Sequence, residues 1–388
     1  MCEKSLYKWR VKGYNFRILM VPVIQKKLHL ELLRLLALCL VVYNHCGTCR
    51  MPTYAEGRLE YWYVLFMNIS CKIAVPLFFM VSGALLLHRE ESYTRILTHR
   101  ILRFVGVILG FTLLQCGWLA YSGVEIPGVG GVLEMLYTGQ IQGMGGRAPF
   151  VAWFLYAYLA LLLFLPLLRR LAQGMRNVDF VYLMGMQVLL VAVLPAVAHA
   201  LSGNYLAGEM QRNLPFVPLS ETVPFTAMYG AFYMLVGYYL EHRVQVCDSR
   251  RWSGWLATAA VGCVLLGCVM VNYHRATDGI PMPYVGYTYW CAFLLLPCVA
   301  VYLWSQRLAG RLAGNALISR VVCLLGGGVF AALLTENIWR SLADEIVQAT
   351  CPDWHNYILY SIQVLVALPL ALAAGVLLKQ LPCIRRWI

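Results

Sequence analysis

Ten mostly apolar stretches, each near twenty residues, follow one another along this chain. The hydrocarbon layer of a bilayer is about 30 Å thick, and a helix crosses it in about twenty residues. Backbone groups in that layer must hydrogen-bond to one another, so apolar runs of this length read as helices. The runs fall at about 28–47, 60–87, 100–121, 150–168, 180–199, 223–241, 253–272, 285–305, 321–340 and 356–378. The second is longer than the others and contains Pro76. The sequence therefore predicts an all-α polytopic membrane helix bundle of about ten transmembrane helices. Only 13% of the residues are charged, about half the share of a soluble domain, which leaves no room for a large soluble unit.

Basic residues set the expected orientation. Of 31 Lys and Arg residues, 23 fall in the tails and the connections on one side of the ten runs, and six on the other. Arg34 and Lys72 lie within runs. Basic residues concentrate on the cytoplasmic side, so both termini are expected in the cytoplasm. Three parts follow: a basic tail over 1–27, an integral domain over 28–378 and a short tail over 379–388. Residues 1–27 are mixed and basic and do not read as a signal peptide. A multi-pass protein of the cell's inner (plasma) membrane is expected. The net charge of +13 is explained by topology, and no nucleic-acid partner is expected.

Polar residues inside the runs are expensive and point to function by default. Arg34 and His45 both lie in the first run. Eleven residues at 100° each bring them to within about 20° of one helix face, about 16 Å apart along the axis. The pair suits a general base, a proton-coupled transporter or a structural hydrogen bond. Arg100 and Arg103 lie three residues apart at the cytoplasmic start of the third run, where they neighbour each other on a helix. Arginine pairs bind phosphate through forked, charged hydrogen bonds, and they also anchor spans. Lys72 and Glu336 are further charges within apolar runs. Glu336 is a structural ion pair or a supporting charge, with Arg34, Lys72 or substrate as its partner.

The fourteen cysteines lie mainly in apolar segments and read as small buried hydrophobes. Cys46-Gly-Thr-Cys49 lacks the βαβ context of a redox motif, although a local disulfide is compatible with the spacing. No cysteine–histidine grouping has zinc spacing, so no metal is expected. The two long outer connections, 122–149 and 200–222, are either plain connectors or routes for an acceptor.

Four stretches carry a resemblance in order and spacing across about 28–241. They are Arg34 with His45; Val75-Pro-Leu-Phe-Phe-Met-Val-Ser-Gly83 followed by Arg100-x-x-Arg103; Trp153-Phe-Leu-Tyr156 with Leu165-Pro-Leu-Leu-Arg169; and Phe232-Tyr-Met-Leu-Val-Gly237-Tyr-Tyr-Leu240. The chain resembles the acyltransferase-3 family of integral membrane proteins, which includes surface-polysaccharide O-acetyltransferases. Family members often carry a Ser/Phe/Gly-rich run ending in histidine in a late span. Here Gly326-Gly-Gly-Val-Phe330 continues to Glu336 without that histidine.

The resemblance implies transfer of an acetyl or other short acyl group from acyl-CoA, acetyl-CoA foremost, to a hydroxyl of a cell-surface or lipid-linked glycan. It implies donor-phosphate binding by Arg100 and Arg103. It also implies a general-base role for His45 and thioester or oxyanion contact by Arg34. Two alternatives remain open on the residues alone: a transporter of a small polar solute or lipid-linked sugar, and a non-catalytic membrane module of the same fold.

Overall fold

A computed structural model describes residues 23–46, 59–123, 128–138, 152–194, 197, 201, 227–244, 250–278, 294–351 and 356–381. Among them the regular structure is entirely helical. The helices run α1 to α13 in chain order. The first five are α1 (Val23–Cys46), α2 (Leu59–Cys71), α3 (Ala74–Leu86), α4 (Tyr93–Tyr121) and α5 (Val129–Thr138). Next come α6 (Ala152–Leu163), α7 (Leu165–Gly174), α8 (Asn177–Gln187) and α9 (Ala227–His242). The last four are α10 (Arg250–Asp278), α11 (Leu295–Leu312), α12 (Ala316–Thr350) and α13 (Asn356–Gln380).

Six helical stretches among the described residues are long and apolar enough to cross a membrane, and seven if bent α6–α7 counts as one. The protein is a multi-pass membrane helix bundle. The other three expected spans fall on α8, α9 and α11, of 11, 16 and 18 residues. Two expected spans are interrupted. The run at 60–87 breaks at Lys72 between α2 and α3, with Pro76 in the first turn of α3. The run at 150–168 bends by 65° between Leu163 and Leu165, where Pro166 opens α7. Proline is suited to the first turn of a helix because its missing N–H has no partner to lose there.

Helix α1 lies at the centre and packs on α2, α3, α11, α12 and α13. Leu30, Leu33, Ala37, Leu38, Val41 and Val42 are buried along it. Glu31 meets Gly326, and His45 meets Glu336, so α1 and α12 run side by side in the same direction. At its start, buried His29 bonds Glu241 of α9 at 2.9 Å, and Tyr302 of α11 donates to the same carboxylate. In the outer connection at 122–149, α5 packs Met135 against Cys116 and Leu119 of α4. Residues 139–151 and 202–226 lie outside the described residues, as does Cys49 of the C-x-x-C.

Helices α3 and α9 cross with their backbones in contact. A methyl group on Gly83 would overlap the Met234 carbonyl, and one on Gly237 would overlap the Met80 carbonyl. This reciprocal contact joins two of the stretches singled out in the sequence. The end of α3 is then capped by side chains: the nearby His88 and the distant His242 bond the Ala84 carbonyl, Arg169 donates to the Leu86 carbonyl and Gln173 to the Leu87 carbonyl. Helix C-termini leave such carbonyls without intrahelical partners.

Glu91 fastens the same corner. Its carboxylate receives Nε and Nη2 of Arg100, both at 2.7 Å, and Nη2 of Arg169 at 2.8 Å. The Arg100 hydrogen bonds pull the Glu91 carboxyl down to about 2 against partial burial, with Arg169 adding to the pull.

Two outcomes are expected. Gly83→Ala or Gly237→Ala forces the crossing apart, with a loss of about 1–3 kcal/mol or more. It lowers the melting temperature in detergent, whereas Gly110→Ala, whose added methyl meets nothing within 4 Å, leaves it in place. The Glu91 clamp contributes stability that is fully present above the ordinary carboxyl value of 4.5 and is lost as pH falls toward about 2. Wild type is therefore more stable than Glu91→Gln at neutral pH. The two melting temperatures converge as a pH series descends through that window.

Candidate active site

A half-open cavity of about 350 Å³ opens at the end of the bundle where α1 and α12 begin and α13 ends. Arg34, His99, Arg100, Arg103 and Lys379 line it, and among the described residues no carboxylate does. Arg100 lies in a stretch of wider π turns, Ile96–Ile101, and Arg103 in the α-helical continuation. Both face the cavity. Ser92 caps the start of this helix by accepting the Arg95 N–H at 3.3 Å. The walls above the basic rim are apolar and aromatic, from Phe78, Phe104, Phe154, Tyr158 and Phe330.

The glycine run of α12 forms one wall. A methyl on Gly326 would fall 2.6 Å from Cβ of Glu31, and one on Gly327 would fall 2.8 Å from Nζ of Lys379. A methyl on Gly328 would fall 2.9 Å from the Val376 backbone nitrogen. Three consecutive glycines thus admit α1 on one side and α13 on the other. Lys379 donates to the Gly327 carbonyl at 2.8 Å, which fixes its ammonium at the rim.

Arg34 belongs to this cavity. Its Nη1 donates to Glu31 Oε1 at 2.8 Å, one turn earlier on α1. His45 lies elsewhere, about 16 Å further along the same helix. Its Nδ1 is 3.1 Å from Glu336 Oε2 of α12, with the two side chains 11% and 2% exposed. Nε of Arg340 is 3.6 Å from the other Glu336 oxygen. Lys72 sits on the same side of the bundle and donates to Asn44, the neighbour of His45, at 3.0 Å.

The shared helical phase of Arg34 and His45 does not put them in one site. Glu336, expected to pair with Arg34, Lys72 or substrate, is met by His45 and Arg340. The reason is height: α4 and the glycine run approach α1 at Arg34, whereas Glu336 approaches it three turns later. Neither His45 nor Glu336 lines the cavity. The α12 wall nevertheless climbs from Gly326 to Leu333, and Glu336 follows three residues on, a rise of about 4.5 Å.

Several contributors were not singled out in the sequence. Glu31 and Arg340 sit three and four residues from Arg34 and Glu336, a spacing readable as helical ion pairing. Glu91, Arg169 as its partner, and Lys379 carry no local signal, because their contacts join segments far apart in the chain. Among the described residues no group of His, Cys, Asp and Glu is arranged to hold a metal ion.

Comparison with known proteins matches the family model of an acyltransferase domain to residues 28–378. No curated protein and no solved structure matches the chain. The match spans the helices that carry both the basic cavity and the His45–Glu336 pair, and by it the chain belongs to the acyltransferase-3 family of membrane proteins.

Proposed function

We propose that this acyltransferase moves an acetyl or other short acyl group from acyl-CoA to a hydroxyl of a cell-surface or lipid-linked glycan. It does so in the plasma membrane, with the basic end of the bundle toward the cytoplasm. One observation carries the reading: a cationic cavity whose wall ends about one helical turn short of a buried His–Glu pair, in a chain of the acyltransferase family.

The donor's phosphates suit the rim of Arg100, Arg103 and Lys379, where planar guanidinium groups match phosphate oxygens. Arg34 lies in the donor cavity, so its role is donor contact and not charge stabilisation beside His45. The aromatic walls suit the less polar arm of the donor, which carries the thioester inward. The remaining climb to His45 is shorter than the Arg34–His45 spacing alone suggests.

At the inner end the chemistry is proton transfer coupled to acyl transfer. With Glu336 ionised, Nδ1 of His45 donates to it and the ring's lone pair is on Nε2. Nε2 takes the proton of the acceptor hydroxyl as the oxygen attacks the thioester carbonyl. The new C–O bond forms, the C–S bond breaks, and the departing thiolate recovers the proton from the imidazolium. Glu336 holds the ring and stabilises that imidazolium, and Arg340 steadies Glu336. No metal takes part in this scheme.

Three outcomes follow for acyl transfer assayed in membranes at matched protein level. His45→Ala lowers turnover by roughly 10²–10⁴-fold, the usual worth of a general base. Glu336→Gln lowers it by roughly tenfold or more with little change in KM for acyl-CoA. Near-normal turnover in His45→Ala removes the base assignment. Arg103→Gln instead raises KM for acyl-CoA, by roughly tenfold for a lost charge-assisted bond, and leaves kcat close to wild type. An unchanged KM returns Arg103 to membrane anchoring.

A further inference from the structure

A second and larger hollow, of about 950 Å³, runs up the outside of α12 between α4 and α13. Its walls are matched segments of three helices, 106–114, 331–339 and 370–378, each rising about 12 Å. Small residues create it: Gly106 and Gly110 on α4, Ala331 on α12, Ala373 and Ala374 on α13. Leu109, Leu113 and Leu377 flank it at 46%, 56% and 62% exposure, so it opens sideways to the bilayer and not into the bundle.

The hollow offers a polar ligand nothing. Its hydroxyl and indole groups, Thr335 and Trp339, are already satisfied: Thr335 donates to the Ala331 carbonyl at 3.2 Å, and Trp339 donates to Thr335 at 3.1 Å. A hydrocarbon chain is the occupant such a surface accepts. Charge then selects which lipid. Arg103 lies one turn before Gly106 and Val107 on the same face of α4. Lys379 directly follows Leu378 of the wall. Neither cation lines the groove itself, but both stand just beyond its basic end, where they line the rim of the donor cavity.

We infer that this groove is a binding site for one anionic phospholipid of the leaflet at the basic end. One acyl chain lies along Gly106, Gly110 and Ala373, and the phosphate head rests on Arg103 and Lys379. The lipid stands at the mouth of the donor cavity, on the face of α12 turned away from Glu336. A donor in the cavity and the lipid head would compete for Arg103 and Lys379, and the lipid site is tested without acyl-CoA, so it stands or falls apart from the donor reading.

Native mass spectrometry of the delipidated full-length protein in detergent, titrated with phosphatidylglycerol or phosphatidylcholine, tests it. Wild type is expected to retain one phosphatidylglycerol, bound at least tenfold more tightly than phosphatidylcholine, since each basic residue near an anionic lipid contributes about fivefold. Gly110→Leu puts bulk into the groove, because a Cβ there has nothing within 4 Å of it. It should weaken phosphatidylglycerol retention at least fivefold with helicity unchanged. Lys379→Gln should lower the preference between the two lipids about fivefold, and it decides the matter if Gly110→Leu fails to fold. Equal retention of both lipids by wild type, or wild-type behaviour of either folded variant, overturns the site.

Discussion

A buried polar side chain in a bilayer has no water to bond, and in this protein such side chains bridge helices far apart in the chain. His29 reaches Glu241, and Tyr302 reaches the same carboxylate. Gln115 and Asn337 exchange two amide hydrogen bonds between α4 and α12, both buried. Lys72 reaches Asn44, and His45 reaches Glu336. Leaving one partner alone in hydrocarbon costs more than a neutral hydrogen bond returns in water. Each pair therefore fixes the height at which two helices meet. Apolar packing alone tolerates sliding, because lipid tails are as apolar as leucine.

Those fixed heights make α1 and α12 the frame of the site. The two run in the same direction, in contact from Glu31–Gly326 to His45–Glu336. Between these contacts α12 presents first glycine, which admits neighbours, then the apolar cavity wall, then a carboxylate. The basic cavity and the histidine thus lie at two levels of one helix pair. The glycines are needed only at the lower level, where α13 and the Glu31 side chain crowd in. The close crossing of α3 and α9 supports this frame from the other side, since α3 also packs on α1.

The helical class was fully legible, because apolar runs near the bilayer thickness permit little else. The spacing of Arg100 and Arg103 made them legible as neighbours on one helix, whereas the cavity that both line is formed with α1, α12 and α13 and is not written in that spacing. The interruptions were only partly legible. Pro76 and Pro166 are visible, but the breaks fall upstream of them at Lys72 and Phe164, where the preceding helix ends. The first-run pair was legible in phase and spacing but not in its partners. Helical phase says which side Arg34 and His45 face, yet only the heights of α4 and α12 say what each meets. Long-range pairs were not legible at all: Glu91 and Arg169 are 78 residues apart, and His45 and Glu336 are 291. No periodicity within a helix encodes such a contact.

Glu91 bears on how the basic rim works, because it divides labour between two arginines. It occupies Nε and Nη2 of Arg100 with both carboxylate oxygens, which fixes the guanidinium plane. The N–H groups on the other edge keep their donor capacity. Glu91 carries one negative charge against Arg100 and Arg169 together, so the cluster keeps a positive balance. Arg103 is exposed on its helix, and Lys379 is tethered by a backbone carbonyl. Under the proposed donor reading, Arg100 would give an entering phosphate a preset direction, while Arg103 and Lys379 would supply charge. Removing Glu91 would leave the rim more positive but Arg100 less directed. Preorganisation, and not total charge, is then what the Glu91 clamp adds to the site.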